Sequence, residues 1–178
     1  MRTALPMLLT CLLLALAGCA ADAPPASSAP EPTTCGDVRN LSVAGEIYMA
    51  GQPTADDFAL LRARGIKTVI NYRRQSEFDL NERAIVEGLG MTYVHYPWNG
   101  PDMLTDARLD EMRRQMRDSE RAILVHCGSA NRVGAGWLAY RVLDEGVVLD
   151  TALAEAKTFG LRTPAYETIT LDYIKRKQ

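Results

Sequence analysis

Residues 121–134, Arg-Ala-Ile-Leu-Val-His-Cys-Gly-Ser-Ala-Asn-Arg-Val-Gly, constrain the fold more than any other stretch. Ala122 to Val125 is a short apolar run, β-branched at Ile123 and Val125, of the kind a sheet buries on both faces. Val133, Trp137 and Tyr140, with Leu138 and Val142, recur at helical spacing, so a helix is predicted to begin near Arg132. Between strand and helix lie only Gly128, Ser129, Ala130 and Asn131. Side chains this small leave the loop's N–H groups free to turn inward on an anion, and the helix start adds partial positive charge. The same field favours the thiolate of Cys127, which is the nucleophilic form. Arg132 puts a guanidinium on the same anion. A cysteine closing a core strand is more often mere packing. His126 before it, the small loop after it and Arg132 beyond favour the chemical reading.

The rest of the chain alternates strands and helices. Thr54-Ala-Asp-Asp57 opens a helix as a capping box, and Gly65 stops it. Lys67–Tyr72 reads as a buried strand, 79–89 as a helix closed by Gly90, Met91–Trp98 as a strand and Thr105–Ser119 as a helix. Two helices, near 150–159 and 165–176, complete the chain, the first bounded by Gly160. This order predicts an α/β fold, a mainly parallel sheet flanked by helices. Ligands in such sheets bind at the carboxyl ends of the strands, where Cys127 lies and where Arg73-Arg74 and Pro97-Trp98 should face the same crevice. The two arginines there could form a positive rim for an anionic substrate. His126 is expected to point inward and hydrogen-bond near the cysteine.

Four segments carry a family resemblance: Tyr48-Met-Ala-Gly-Gln-Pro-Thr54, Gly65-Ile-Lys-Thr-Val-Ile-Asn-Tyr-Arg73, Tyr93-Val-His-Tyr-Pro97 and Val125 to Gly134. Together they resemble the bacterial branch of the cysteine-dependent phosphatases, including the phosphatase-like domains found beside β-lactamase-like hydrolase domains. The resemblance implies a cysteine-phosphatase-like fold and a phosphocysteine mechanism needing no cofactor. Cys127 would attack a phosphoryl group held by Gly128, Ser129, Ala130, Asn131 and Arg132, and an aspartate would protonate the leaving oxygen. In the related phosphatases that acid sits on the loop corresponding to Asn99–Asp106, so Asp102 is the candidate by position. Asp106 reads as a first-turn helix residue, and Asp79 is an outside alternative.

The family signature has one residue more between cysteine and arginine, and usually a hydroxyl residue where Val133 stands. Four intervening residues is the loop length of the rhodanese-like sulfurtransferases. Three classes therefore remain open at this level: a phosphomonoesterase, a sulfurtransferase handling a persulfide, and an inactive anion-binding module.

At the other end, Arg2 and the Leu/Ala-rich run from Met7 to Ala17 read as a signal peptide, too short to span a bilayer. Leu16-Ala17-Gly18-Cys19 resembles a bacterial lipobox, which implies cleavage after residue 18 and lipidation of Cys19. Ala20 after the cysteine, by the same resemblance, favours the outer membrane and a periplasmic location. Residues 19–37 are rich in Pro and Ala and are expected to form an extended tether, with the phosphatase-like domain over 38–178. Loss of residues 1–18 removes one charge, Arg2, and leaves 19 basic against 22 acidic residues, net −3. No basic stripe with interleaved aromatics is present, which argues against nucleic acid as a partner. The expected partners are a phosphorylated substrate and, through the lipid, a membrane. Cys35 and Cys127 remain in an oxidising space, where Cys35 reads more simply as a free or intermolecular thiol than as a partner for Cys127. His95 and His126 fall in separate strands and give no metal-ligand spacing.

Overall fold

The computed structural model describes residues 28–178, so the expected signal peptide and Cys19 lie outside the described residues. The strands are β1 Glu31–Pro32, β2 Ser42–Ala44, β3 Ile47–Ala50, β4 Thr68–Asn71, β5 Thr92–His95 and β6 Ile123–His126, in the order β1-β2-β3-β6-β4-β5. β3, β6, β4 and β5 run parallel. β1 and β2 add an antiparallel edge, which the sequence reading did not anticipate. Glu31–Pro32 and the buried Cys35 also fall within the segment expected to be a tether. Proline is tolerated there because β1 is an edge strand with no further neighbour to serve. Inward of it, Cys35 and Val38 find an apolar core to join.

The helices are α1 Ala55–Ala63, α2 Glu82–Gly88, α3 Asp106–Asp118, α4 Asn131–Leu143, α5 Leu149–Phe159 and α6 Pro164–Lys177. The Thr54 capping box forms as expected: the Thr54 hydroxyl accepts from Asp57 N at 3.3 Å, and Asp57 Oδ2 accepts from Thr54 N at 2.8 Å. α2 begins three residues later than predicted. Asn81 caps it by accepting from Ala84 N, and a single 3-10 turn, Gln75–Glu77, fills the loop before it.

β6 is the axis of the molecule, and its period-two alternation divides the structure. Ile123, Val125 and Cys127 face one core, built with Met112, Met116, Trp137 and Leu138. Leu124 faces the other, with Phe58, Leu61, Val69 and Val86 from around α1 and α2. α4 is buried from Arg132 through Val142, and α3, α5 and α6 all pack on it. That is why its apolar residues run all round the helix and form no single stripe. At the carboxyl crest of the sheet, Ala50, His126, Asn71 and His95 lie abreast in register. Just past that crest lie Gln52, Cys127, Arg73 and Trp98, joined by the hydrogen bonds of Arg73 to Gln52 and of Arg132 to Trp98.

Candidate active site

The ladder continues one residue past β6, because Cys127 N donates to Ala50 O at 3.2 Å. Cys127 is 1% exposed. The chain then turns through Gly128, Ser129 and Ala130 into α4. Ala130 holds the N-cap position in the left-handed region, φ 63°, an uncommon conformation for a residue with a Cβ. Strain of this kind concentrates at ligand clamps. No side chain caps α4, so its first N–H groups stay available to an anion.

Two glycines clamp the loop from outside. Gly51 bridges Ser129, and a Cβ there would lie 3.0 Å from Arg39 O and 3.2 Å from Gly128 O. A Cβ at Gly160 would lie 2.9 Å from that of Ala130 and 3.0 Å from Ser129 O. Asn131 turns its side chain away from the loop. Nδ2 donates to Thr163 Oγ1 at 2.7 Å, while Oδ1 accepts from Arg162 N at 2.9 Å and Thr163 N at 3.2 Å. What Asn131 can offer an anion is therefore its main-chain N–H. Arg162, which sequence reasoning missed, donates to the Ser129 hydroxyl.

Arg132, 8% exposed, is fixed by a fork. Nη1 donates to Trp98 O at 2.7 Å, Glu77 Oε1 at 3.0 Å and Tyr72 O at 3.1 Å, and Nη2 donates to Glu77 Oε2 at 2.6 Å. Burial opposes its charge, but the Glu77 hydrogen bonds and the neighbouring Cys127 more than offset this and hold its pKa above the ordinary value. Burial likewise pushes Glu77 up, and Arg132 and Arg74 overcome it, lowering the pKa to about 2. Glu77 is therefore ionised at neutral pH and has no proton to give. Its signal was invisible in sequence, since it meets Arg132 across 55 residues.

Behind the cysteine lies a second buried carboxylate, Glu82. Its Oε1 accepts from Asn71 Nδ2 at 2.9 Å and meets His126 Nε2 at 2.8 Å, and its Oε2 accepts from Gln52 Nε2 at 2.7 Å. Burial raises its pKa, yet His126 and these donors leave it lowered on balance. His126 points inward, as expected, but on the face opposite Cys127, so its hydrogen bond goes to Glu82 and not to the surroundings of the cysteine.

Asp102 lies on a 3-10 turn, Pro101–Met103, that follows β5. It is exposed, and among the described residues no hydrogen bond or ion pair holds its carboxylate. The root of this loop is tied to the site by Trp98 O on Arg132, and Gly100 N donates to Tyr166 OH at 3.0 Å. Asp106 pairs with Arg176 at 2.6 Å as a first-turn residue, and Asp79 is exposed on the far loop. Arg74 is exposed and pairs with Glu77 at 3.1 Å. Arg73 is drawn inward: Nη1 donates to Gln52 Oε1 at 2.8 Å, and Nη2 to Glu77 O. Cys35 and Cys127 are both free thiols, in cores on opposite faces of the sheet.

Residues 37–143 match the family model described as the phosphatase-like domain of β-lactamase hydrolase-like proteins. The β-lactamase hydrolase-like protein of Agrobacterium fabrum is 30% identical over 128 residues, which are 69% of this chain and 30% of that protein. The dual specificity protein phosphatase TpbA of Pseudomonas aeruginosa is 28% identical over 117 residues, 64% of this chain and 51% of its own. The chain thus spans well under two thirds of either relative. The crystal structure of TpbA superposes with a TM-score of 0.67 at 22% identity, covering 85% of this chain and 91% of that one. The shared sheet and flanking helices place the two chains in one fold.

Proposed function

Because the chain belongs to the family of phosphatase-like domains of β-lactamase hydrolase-like proteins, we propose that it is a phosphomonoester hydrolase of the protein-tyrosine-phosphatase type, working through Cys127. The observation that carries this reading is Arg132, held by Glu77 and two carbonyls beside the cysteine at the mouth of an uncapped helix. A phosphoryl dianion needs such an arrangement: inward N–H donors, a planar guanidinium and a thiolate in line.

The Cys127 thiolate attacks phosphorus, the S–P bond forms and the ester P–O bond breaks. The departing oxygen takes its proton from Asp102, the exposed acid on the loop after β5. Water then attacks the phosphocysteine, gives its proton to the Asp102 carboxylate and releases inorganic phosphate and the thiolate. Glu77 fixes Arg132 and transfers no proton.

The protein is further proposed to be a lipoprotein, cleaved before Cys19, lipidated there and held at the periplasmic side of the outer membrane. The test of the chemistry compares the purified protein on phenyl phosphate and on thiosulfate. Hydrolysis of the ester that is abolished in Cys127→Ser, with the melting temperature kept, is the expected result. Transfer of sulfur from thiosulfate onto Cys127, without ester hydrolysis, would overturn it in favour of a sulfurtransferase, and neither reaction would leave an anion-binding module.

A further inference from the structure

The loop after β4 brings a second guanidinium to the cysteine loop. Arg73 has 16% of its side chain exposed, lies over the Phe78 ring at 5.3 Å and is anchored through both terminal nitrogens, on Gln52 and on the Glu77 carbonyl. Its Nε–H is different. It is buried and has no hydrogen-bond acceptor; the nearest carboxylate oxygen, Glu77 Oε2, lies 3.7 Å away. A buried donor left without an acceptor is costly, on the order of 1–3 kcal/mol, and calls for an explanation.

Its position supplies one. A Cβ built on Gly128, the first residue of the loop, would stand 3.9 Å from Arg73 Nε and 3.9 Å from Arg132 Nη2. Both guanidiniums therefore flank the space over Gly128, Arg73 from the loop after β4 and Arg132 from the first turn of α4. Charge agrees with geometry. Arg73, Arg74 and Arg132 all lie against one carboxylate, Glu77, and leave an excess of positive charge at the cysteine. The loop is also one residue shorter than the signature it resembles, so it offers fewer inward N–H groups.

We infer that Arg73 is a second phosphoryl ligand of this site, its Nε–H donating to an oxygen of the bound group while Gln52, the Glu77 carbonyl and the Phe78 ring hold it in place. This rests on the phosphatase reading of the cysteine loop. It goes beyond a positive rim, because it assigns one atom to one role and makes Arg73 part of the cradle. Arg74, exposed and turned to Glu77, has no such place.

The experiment is protection of Cys127 from iodoacetamide by inorganic phosphate in the purified protein. Arg73→Gln should raise the half-protecting phosphate concentration about ten-fold, the scale of one charge-assisted hydrogen bond, and raise the phosphate inhibition constant for ester hydrolysis by the same factor. Arg73→Lys should weaken both by a smaller factor, since an ammonium held by Gln52 and the Glu77 carbonyl lacks the guanidinium's further N–H. Arg83→Gln makes the same change in net charge at an exposed position of α2 and should match the wild type. A merely structural role would lower the melting temperature or alter alkylation without phosphate, and leave the phosphate constants unmoved. Unmoved constants in both Arg73 variants, with the wild type protected, overturn the inference alone. Failure of phosphate to protect even the wild type overturns the phosphoryl reading of the loop, and this inference with it.

Discussion

A single guanidinium, that of Arg132, joins three parts of the chain: the ends of β4 and β5 through Tyr72 O and Trp98 O, and the intervening loop through Glu77. It can do so because it is planar and carries donors in a fixed fork. Arg132→Lys keeps the charge and loses the fork, so kcat/KM on a phosphate ester should fall on the order of 10²-fold or more, close to the loss in Arg132→Ala. Retention of most activity with lysine would reduce Arg132 to a helix residue. Its partner makes a pH prediction. The folded pKa of Glu77, about 2, is depressed from the ordinary value of 4.5. A depressed carboxylate contributes stability that is fully present above its unfolded pKa and is lost as pH falls through the folded one. Between pH about 4.5 and 2 the wild type should therefore lose stability more steeply than Glu77→Gln, read from denaturant midpoints at each pH. Parallel curves would show that Glu77 is not held by Arg132 in solution.

Strand, loop and helix together form the unit that the sequence exposed best. β6 announced itself as an apolar run, and α4 as a helical repeat starting at Arg132, because both patterns are local. The capping box at Thr54 was legible for the same reason. Less visible were β2, of only three residues, and β3, which is as long as β4 to β6 but reads Ile-Tyr-Met-Ala, with one β-branched residue and no apolar β-branched run. Glu77, Glu82 and Arg162 escaped as well, since each acquires its meaning from contacts 33 to 55 residues away. Gly160 was read only as a helix stop, yet it also sets the height of the cysteine loop. A methyl group there meets Ala130 Cβ at 2.9 Å and Ala130 C and Ser129 O at 3.0 Å, and the latter two are backbone atoms, which cannot rotate aside. Gly160→Ala should shift the loop by a fraction of an ångström and lower kcat/KM about ten- to a hundred-fold, as misplacement of reacting groups does. The rate of Cys127 alkylation should change with it. Wild-type turnover would mean that the loop adapts without consequence for the site.

On the scale of the whole molecule, the sheet order sets the candidate site apart from the point where the proposed anchor would join the domain. Cys127 follows the central strand β6, whereas β1, where the chain enters the sheet, is its outer edge, separated from β6 by β2 and β3. Among the described residues no helix is long and apolar enough to cross a membrane. In the proposed lipoprotein reading the point of attachment is Cys19, at the start of the expected tether 19–37. The eleven residues 20–30 between Cys19 and β1, at no more than ~3.3–3.6 Å each, set an upper limit of roughly 40 Å on the distance from that cysteine to the sheet. A lipidated cysteine carrying both a thioether-linked lipid and an acylated amine has the two signals that stable anchoring requires. Because that chemistry is confined to a residue ahead of the sheet, anchoring and catalysis should separate cleanly. Cys19→Ser should move the protein from the membrane to the soluble fraction, and the released protein should hydrolyse a small phosphate ester with unchanged kcat/KM. Persistence in the membrane fraction would make the apolar run from Met7 to Ala17 the anchor. A drop in kcat/KM on release would mean that the membrane surface itself completes the site, which the central position of Cys127 argues against.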